Sequence, residues 1–338
     1  MSRQDPLAAD RPRTTSPIFL ALGVLFALLG VGVAFVASNP GLLLQVAVSR
    51  ERGAADLVER STTWGEHEIV YLDGGDPEGA PVVLIHGFAA DKDNWTRLSK
   101  TLAPAGYRII APDLPGHGRS SRVPTHSYGI ESQVAFVEHL RGELGLDSMH
   151  LGGNSMGGHI SALYAARHPD RVRSVALLNP GGVTSPEPSE RQRIHAETGV
   201  NPLLVNNVAD YDRLLAFVFH TPPRLPGVVK QYFADRAVEH RAFNDKIHDD
   251  IKGDGYVALE PLLPSIATPA LVLWGDTDRV LHPSGAAVFG DLLPNAEVVM
   301  MKDMGHAPMI ERPEETAGIL IDFFARSDED AEIEAQAD

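Results

Sequence analysis

Ser155 lies within Gly153-Asn154-Ser155-Met156-Gly157, which has the pattern G-x-S-x-G. The pattern directly follows a short apolar run and opens a helical stretch, as a sharp strand-to-helix turn requires. Small residues on both sides make room for the turn, and the helix N-terminus then points at the hydroxyl. This setting predicts that Ser155 is a nucleophile, which needs a base, an acid and an oxyanion site.

The chain has 14 histidines that could supply the base. His306 follows Gly305 after the last predicted strand, within the sequence MGHAPMIERPEE. This late position agrees with the chain order serine, acid, histidine that accompanies a G-x-S-x-G turn. We therefore expect His306 to be the base, and we assign His86 to the turn that shapes the oxyanion site.

Two aspartates follow the strand that precedes the histidine loop, in the sequence LVLWGDTD. A carboxylate that orients the His306 ring must reach over the end of this strand. We predict that Asp278 is this acid, with Asp276 as the alternative and turn capping as its other role. No acid follows Asn179 and Pro180, where the preceding predicted strand ends.

A tetrahedral oxyanion requires two N–H donors aimed at one point. The backbone of Met156, the residue after the serine, is expected to supply one donor. Phe88 is expected to supply the other from the loop HGFAA, where Gly87 permits an unusual backbone conformation. An ordinary tight turn is the alternative interpretation of this loop.

Apolar runs alternate with helical stretches along the rest of the chain and would position these side chains. The predicted strands are Val82–Ile85, Tyr107–Ile110, Met149–Gly152, Val175–Leu178, Ala270–Trp274 and Val298–Met301. The predicted helices are Trp95–Leu102, Ile130–Leu144, Met156–Arg167 and Glu314–Ala325. This alternation predicts an α/β fold with a mostly parallel central sheet, helices on both faces and ligands at the carboxyl ends of the strands.

Residues 182–264 break the alternation with helix-like sequence punctuated by prolines, including a charged helix predicted over Val228–Ile251. We interpret this segment as a helical lid over the strand ends and call it the lid insertion. It divides the core into a first part, residues 61–181, and a second part, residues 265–326.

Both ends of the chain differ from the core. Residues 18–38 carry no charge and would span about 30 Å as a helix, which predicts a transmembrane anchor after an N-terminal tail at 1–17. A cleaved signal peptide is the alternative. A slight excess of arginine before the span favours a catalytic domain on the non-cytoplasmic side. We expect residues 39–60 to form a connector and residues 327–338 an acidic, disordered tail.

The composition excludes several classes of function. Asp and Glu outnumber Lys and Arg by 45 to 29, for a formal net charge of −16, whereas a nucleic-acid surface needs a basic excess. The chain has no cysteine and therefore no disulfide, metal–thiolate site or cysteine nucleophile. The motifs imply neither a metal nor an organic cofactor.

The motifs LIHGFAADKDNW, APDLPGHGRSS, GGNSMGG, LVLWGDTDRVLHP and GHAPMIERP follow one another within residues 61–326. Their order and spacing resemble the α/β-hydrolase superfamily. With the anchor and the lid sequence TPPRLP, the chain looks like the bacterial lipase-1 type and the membrane-anchored monoacylglycerol lipases. The resemblance implies a serine ester hydrolase for fatty-acid esters, with Ser155, Asp278 and His306 as the triad.

The implied partners are a lipid or other acyl-ester substrate and the membrane that holds the anchor. Apolar lid residues would then form the acyl site, although packing against the core is their more common role. The candidates are Leu203, Leu204, Phe217 and Phe219.

Other functions on the same scaffold stay open. Hydrolases that cleave carbon–carbon bonds of meta-cleavage products share GNSMGG and NPGG, but they typically carry a Trp after the catalytic histidine, where this chain has Ala307-Pro308-Met309. They also lack an anchor. A small-ester carboxylesterase or thioesterase would use the same catalytic residues. A non-enzymatic ligand receptor could keep them as well, since a fold alone does not establish catalysis.

Overall fold

The computed structural model describes residues 40–337. The chain divides into two units, residues 1–46 and 47–338, and the described part of the first is the beginning of helix α1 (Pro40–Ala54). The predicted tail at 1–17 and the predicted anchor at 18–38 lie outside the described residues. From residue 40 to 337, no helix combines the length and the apolar character needed to cross a membrane.

Eight strands form one sheet in the order β1-β2-β4-β3-β5-β6-β7-β8. The strands are β1 (Leu57–Trp64), β2 (His67–Gly75), β3 (Pro81–Ile85), β4 (Arg108–Pro112), β5 (Met149–Asn154), β6 (Val172–Leu178), β7 (Ala270–Gly275) and β8 (Ala296–Met301). β2 runs antiparallel to β1 and β4, and the neighbours from β4 to β8 run parallel. The sheet is thus mostly parallel, as the alternating pattern predicts.

The antiparallel strands β1 and β2 are absent from the sequence prediction. The expected connector at 39–60 contains α1, but β1 already begins at Leu57, so the boundary at residue 60 is wrong. β1 lies at the edge of the sheet and half of its residues are exposed, in agreement with its polar composition LVERSTTW. Such an edge strand lacks the continuous apolar run of a buried parallel strand.

Helices cover both faces of the sheet. The core helices are α2 (Thr96–Leu102), α3 (Ile130–Glu143) and α4 (Met156–Arg167). Consecutive residues of a strand point to opposite faces. Accordingly, Val83 and Ile85 of β3 join a buried cluster with α3 and α4, whereas Val82 and Leu84 join a second cluster with α2.

The lid insertion contains α5 (Glu190–Thr198), α6 (Val208–Val218), α7 (Gly227–Glu239) and α8 (Arg241–Lys252). The single helix predicted over Val228–Ile251 is wrong, because α7 and α8 are separate helices that meet at His240.

The last core helices are α9 (Gly285–Leu292), α10 (Pro308–Glu311) and α11 (Pro313–Ala337). The disorder predicted for residues 327–338 is wrong as far as Ala337, because α11 continues through this stretch. Ser327 is buried, and Asp328 accepts hydrogen bonds of 3.2 Å from His150 and from Arg173. These contacts fix the beginning of the acidic segment, and its Glu and Ala residues favour helix beyond it.

Candidate active site

Ser155 occupies the turn between β5 and α4 with φ 57° and ψ −115°. The flanking glycines are required by close packing. A Cβ on Gly153 would lie 2.2 Å from the Gly157 carbonyl oxygen, and one on Gly157 would lie 2.1 Å from that of Ile85. The Ser155 N–H donates to the Leu178 carbonyl at 3.0 Å, which joins the turn to the end of β6. The turn therefore holds the serine in a backbone conformation that non-glycine residues rarely adopt.

The predicted acid and base are in direct contact. Nδ1 of His306 lies 2.7 Å from Oδ2 of Asp278, and both side chains are buried. The other carboxylate oxygen accepts backbone N–H groups from Val280 at 2.8 Å and Leu281 at 3.1 Å. This pairing fixes the His306 ring and leaves its Nε2 atom outside the contact with the acid.

Asp276, the alternative acid, has a different environment. Its carboxylate accepts the Met304 N–H at 3.4 Å, and its own N–H donates to the Met301 carbonyl at 3.0 Å. These contacts stabilise the turn after β7. The geometry therefore favours Asp278 over Asp276 as the partner of His306.

Two asparagines that the sequence analysis did not single out support the three predicted residues. Asn179 donates from Nδ2 to Oδ2 of Asp278 at 2.7 Å, from the position at the end of β6 where no acid was found. Asn154 donates from Nδ2 to the His306 carbonyl at 3.0 Å. Because Asn154 directly precedes Ser155, this bond joins the histidine loop to the nucleophile turn.

The loop after β3 lies against the serine. A Cβ on Gly87 would be 3.3 Å from the Ser155 Cβ, and the half-buried Phe88 comes next in the chain. Met156 begins α4 on the other side of the serine. The two residues predicted to donate to an oxyanion thus belong to the two segments that adjoin Ser155.

The buried His86 ring organises this loop. Its Nδ1–H donates to the Gly87 carbonyl at 2.8 Å, and its Nε2 accepts the Leu114 N–H at 3.0 Å. Burial lowers the pKa of His86, which keeps the ring in the neutral form that these two bonds require. Burial also lowers the pKa of the adjacent His117 to about 3.

A buried ion pair supports the same loop from behind. Lys92 donates to the Asp113 carboxylate through its backbone N–H at 2.8 Å and through Nζ at 2.7 Å. The Arg119 N–H donates to the same carboxylate at 2.8 Å. Lys92 and Asp113 are almost wholly inaccessible to solvent, and Lys92 Nζ also lies 3.4 Å from the Glu59 carboxylate. The Asp113 charge therefore depends on Lys92 for compensation.

The predicted acyl-site residues occupy different environments. Leu203 and Leu204 are half-buried in the turn that precedes α6. The Phe217 ring lies 4.8 Å beneath the Arg279 guanidinium. Phe219 belongs to the buried cluster that also holds α2, so the structure shows packing for this residue. A role of these side chains in substrate binding stays a prediction.

The family profile described as "alpha/beta hydrolase fold" matches residues 80–313. The chain belongs to the α/β-hydrolase fold family. The expected α/β-hydrolase fold with its mostly parallel sheet is thereby confirmed, whereas the transmembrane helix expected with it lies outside the described residues.

Two relatives of this α/β-hydrolase are named as lipases. Lipase 1 of Psychrobacter immobilis is 37% identical over 276 residues, which are 81% of this chain and 86% of that protein. Monoacylglycerol lipase ABHD6 of Bos taurus is 30% identical over 308 residues, 87% of this chain and 90% of that protein. Both expected lipase types are thus found, and the α/β-hydrolase is an ester-hydrolysing lipase.

A solved structure described as a membrane phospholipase A, a bacterial virulence factor, is similar to this α/β-hydrolase over almost its whole length. It is 43% identical, with a TM-score of 0.84, and the match covers 93% of this chain and 99% of that one.

Proposed function

We propose that this α/β-hydrolase cleaves fatty-acid esters through an acyl-enzyme on Ser155. The observation that carries the proposal is the 2.7 Å contact of His306 with Asp278 in a loop that Asn154 joins to the strained Ser155 turn. Such an arrangement supplies a base of fixed orientation in a loop that is bonded to the serine turn.

The reaction proceeds in two halves. Nε2 of His306 removes the hydroxyl proton as Oγ of Ser155 attacks the ester carbonyl, while Asp278 stabilises the imidazolium. The backbone N–H groups of Phe88 and Met156 bind the oxyanion, and His306 returns the proton to the departing alcohol. Water, deprotonated by the same histidine, then releases the fatty acid and restores Ser155.

The proposed substrate is a monoacylglycerol or a similar ester that partitions into a membrane. The similarity to ABHD6 supports this class, and the uncharged span at 18–38 would anchor the enzyme where such esters accumulate. The lid insertion would supply the apolar acyl site, with Leu203, Leu204, Phe217 and Phe219 as its candidates.

Turnover of the detergent-solubilised full chain tests the reaction. The substrates are p-nitrophenyl esters from acetyl to palmitoyl and monooleoylglycerol, with Ser155→Ala as the control. We expect turnover of medium or long chains and of the glycerol ester, and its loss in Ser155→Ala. Activity confined to short esters would favour a carboxylesterase, and full activity in Ser155→Ala would contradict the mechanism. Alkaline extraction of membranes tests the anchor, and protease protection of separate, intact vesicles tests its orientation.

A glycerophospholipid is the second candidate substrate. The 43% identical structure is described as a phospholipase A, and basic lid side chains lie near the site. The His248 ring lies 5.9 Å from that of Phe88, and Lys252 follows one helical turn later on α8. Burial, followed by the charge of Arg191, lowers the pKa of Lys252. A phosphate would relieve the repulsion between these two cations.

Paired substrates distinguish the two candidates. The variant Arg191→Gln/Lys252→Gln should lose turnover of lysophosphatidylglycerol and retain turnover of monooleoylglycerol if a phosphate binds there. Equal effects on both substrates would exclude a headgroup site.

A further inference from the structure

Glu311, at the end of α10, holds the histidine loop and the lid insertion with one carboxylate. Its Oε2 accepts the Gly305 N–H at 3.1 Å and the His220 N–H at 3.1 Å. Its Oε1 accepts the Thr221 N–H at 2.6 Å. Charge-assisted bonds of this kind are stronger than bonds between neutral groups. The carboxylate thus joins the residue that precedes His306 to the chain that leaves α6.

The main chains on either side of this carboxylate are also in direct contact. The His306 N–H donates to the Val218 carbonyl at 2.7 Å. A Cβ on Gly305 would lie 2.5 Å from that same carbonyl oxygen and 2.6 Å from the His220 nitrogen, so only glycine fits there. The lid segment 218–221 is therefore one wall of the histidine loop.

A third connection reaches the acid turn. Nδ1 of His220 lies 3.1 Å from the Thr277 hydroxyl, which itself donates to the Met304 carbonyl at 2.7 Å. Thr277 directly precedes Asp278. Displacement of the 218–221 segment would thus disturb the surroundings of both the acid and the base.

We infer that Glu311 is a positioning residue that makes the placement of His306 depend on the position of the lid segment 218–221. The inference rests on the proposed role of His306 in ester hydrolysis. A lid movement that breaks the bonds at His220 and Thr221 also loosens Gly305. Catalytic competence is then highest when this end of the lid insertion is seated.

The test compares Glu311→Gln and Glu311→Ala with Glu315→Gln in the full chain. Glu315 pairs with Arg312 on the surface of the same region, which makes it a matched control. On a short p-nitrophenyl ester we expect kcat to fall about 10-fold in Glu311→Gln and about 100-fold in Glu311→Ala, with KM little changed. Hydrogen exchange at Gly305, His220 and Thr221 should rise in both, and Glu315→Gln should match the wild type.

The outcomes are separable. Wild-type kcat in both Glu311 variants would overturn the inference, and so would a loss that only follows the unfolded fraction measured by thermal melting. Should Glu311→Ala fail to fold, the kcat and the amide exchange of Glu311→Gln decide. If the wild type shows no ester turnover, the proposed function fails, and the exchange data still test the connection between lid and histidine loop.

Discussion

Asn179 and Asp278 share a 2.7 Å hydrogen bond from Nδ2 to Oδ2, the carboxylate oxygen that also binds His306. Oδ1 of Asn179 is buried without a hydrogen-bond partner among the described residues, so the bonds of this amide are those that Nδ2 donates to Asp278 and, at 3.4 Å, to the Gly305 carbonyl. The amide is thus placed to orient the acid rather than to satisfy itself.

Removing this amide should impair turnover more than folding. Asn179 has φ 45°, so Asn179→Gly keeps the backbone conformation while it deletes the donor. We expect kcat to fall about 10-fold, because the Asp278 carboxylate loses one of the bonds that hold it against His306. Asn179→Asp should fall further, since it places a second negative charge beside the first. Steady-state kinetics with parallel melting curves provide the measurement, and unchanged kcat in Asn179→Gly would assign the amide no role.

The neutral His86 ring should matter for the oxyanion site. His86→Asn keeps a donor for Gly87, but its shorter side chain places no acceptor where the Nε2 atom of His86 receives the Leu114 N–H. The loop that carries Phe88 therefore loosens. We expect kcat to fall about 10- to 100-fold with little change in KM, which is less than the roughly 100- to 1000-fold loss on removal of an oxyanion donor itself. His150→Asn is the control, because His150 is equally buried but bonds to Ser174 and Asp328 and not to this loop. Equal losses in both variants would indicate a general packing defect.

The buried pair Lys92–Asp113 should show strong coupling in stability. Lys92→Met leaves the Asp113 carboxylate without a cation and should lower the free energy of unfolding by about 3 kcal/mol. The double variant Lys92→Met/Asp113→Asn removes both charges and should be less destabilised than Lys92→Met alone. Urea unfolding of all four members of the cycle measures the coupling, and simple additivity would contradict it.

His159 should contribute to acid sensitivity. Its Nε2 donates to the Val257 carbonyl at 2.7 Å, and burial lowers its pKa to about 4. The unfolded chain, with a histidine pKa near 6.5, then binds the proton more readily than the folded chain. Stability from this group is complete above pH 6.5 and declines as the pH falls towards 4, by at most about 3 kcal/mol. His159→Gln keeps a donor and does not titrate, so its unfolding free energy should depend less on pH over that window. A parallel pH dependence in both proteins would refute this assignment.

Much of the core could be predicted because it repeats one pattern. Buried parallel strands are continuous apolar runs, and the nucleophile helix was predicted with the bounds that the structure gives it, Met156–Arg167. β1 was missed because an edge strand keeps polar residues on its exposed side. β2 is an interior strand with the buried apolar run Ile69–Leu72, which the sequence prediction left out. The acidic segment from Ser327 was misjudged because its composition does not reveal that Asp328 reaches His150 across the fold.

The residues that support the site are less predictable from the sequence than the proposed nucleophile and base. Local sequence patterns predict Ser155 and His306. Asn179 and Glu311, in contrast, act through contacts with residues that are distant in the sequence. The sequence does contain one signal for Asn179. It directly follows β6, at a position where a triad acid could lie, and carries an amide in place of a carboxylate. Nothing local distinguishes Glu311 from Glu314 or Glu315, because only the folded lid segment 218–221 supplies its partners.

The left-handed backbone conformation of Ser155 lowers the thermal stability of the protein, while the hydroxyl that it presents is required for turnover. Holding a non-glycine residue in so sparsely populated a conformation costs on the order of 1–3 kcal/mol. Ser155→Gly would remove this strain together with the hydroxyl, and the resulting inert protein should melt at a higher temperature than the enzyme. Selection for a high melting temperature alone would thus favour loss of the serine and yield a more stable protein that no longer hydrolyses esters.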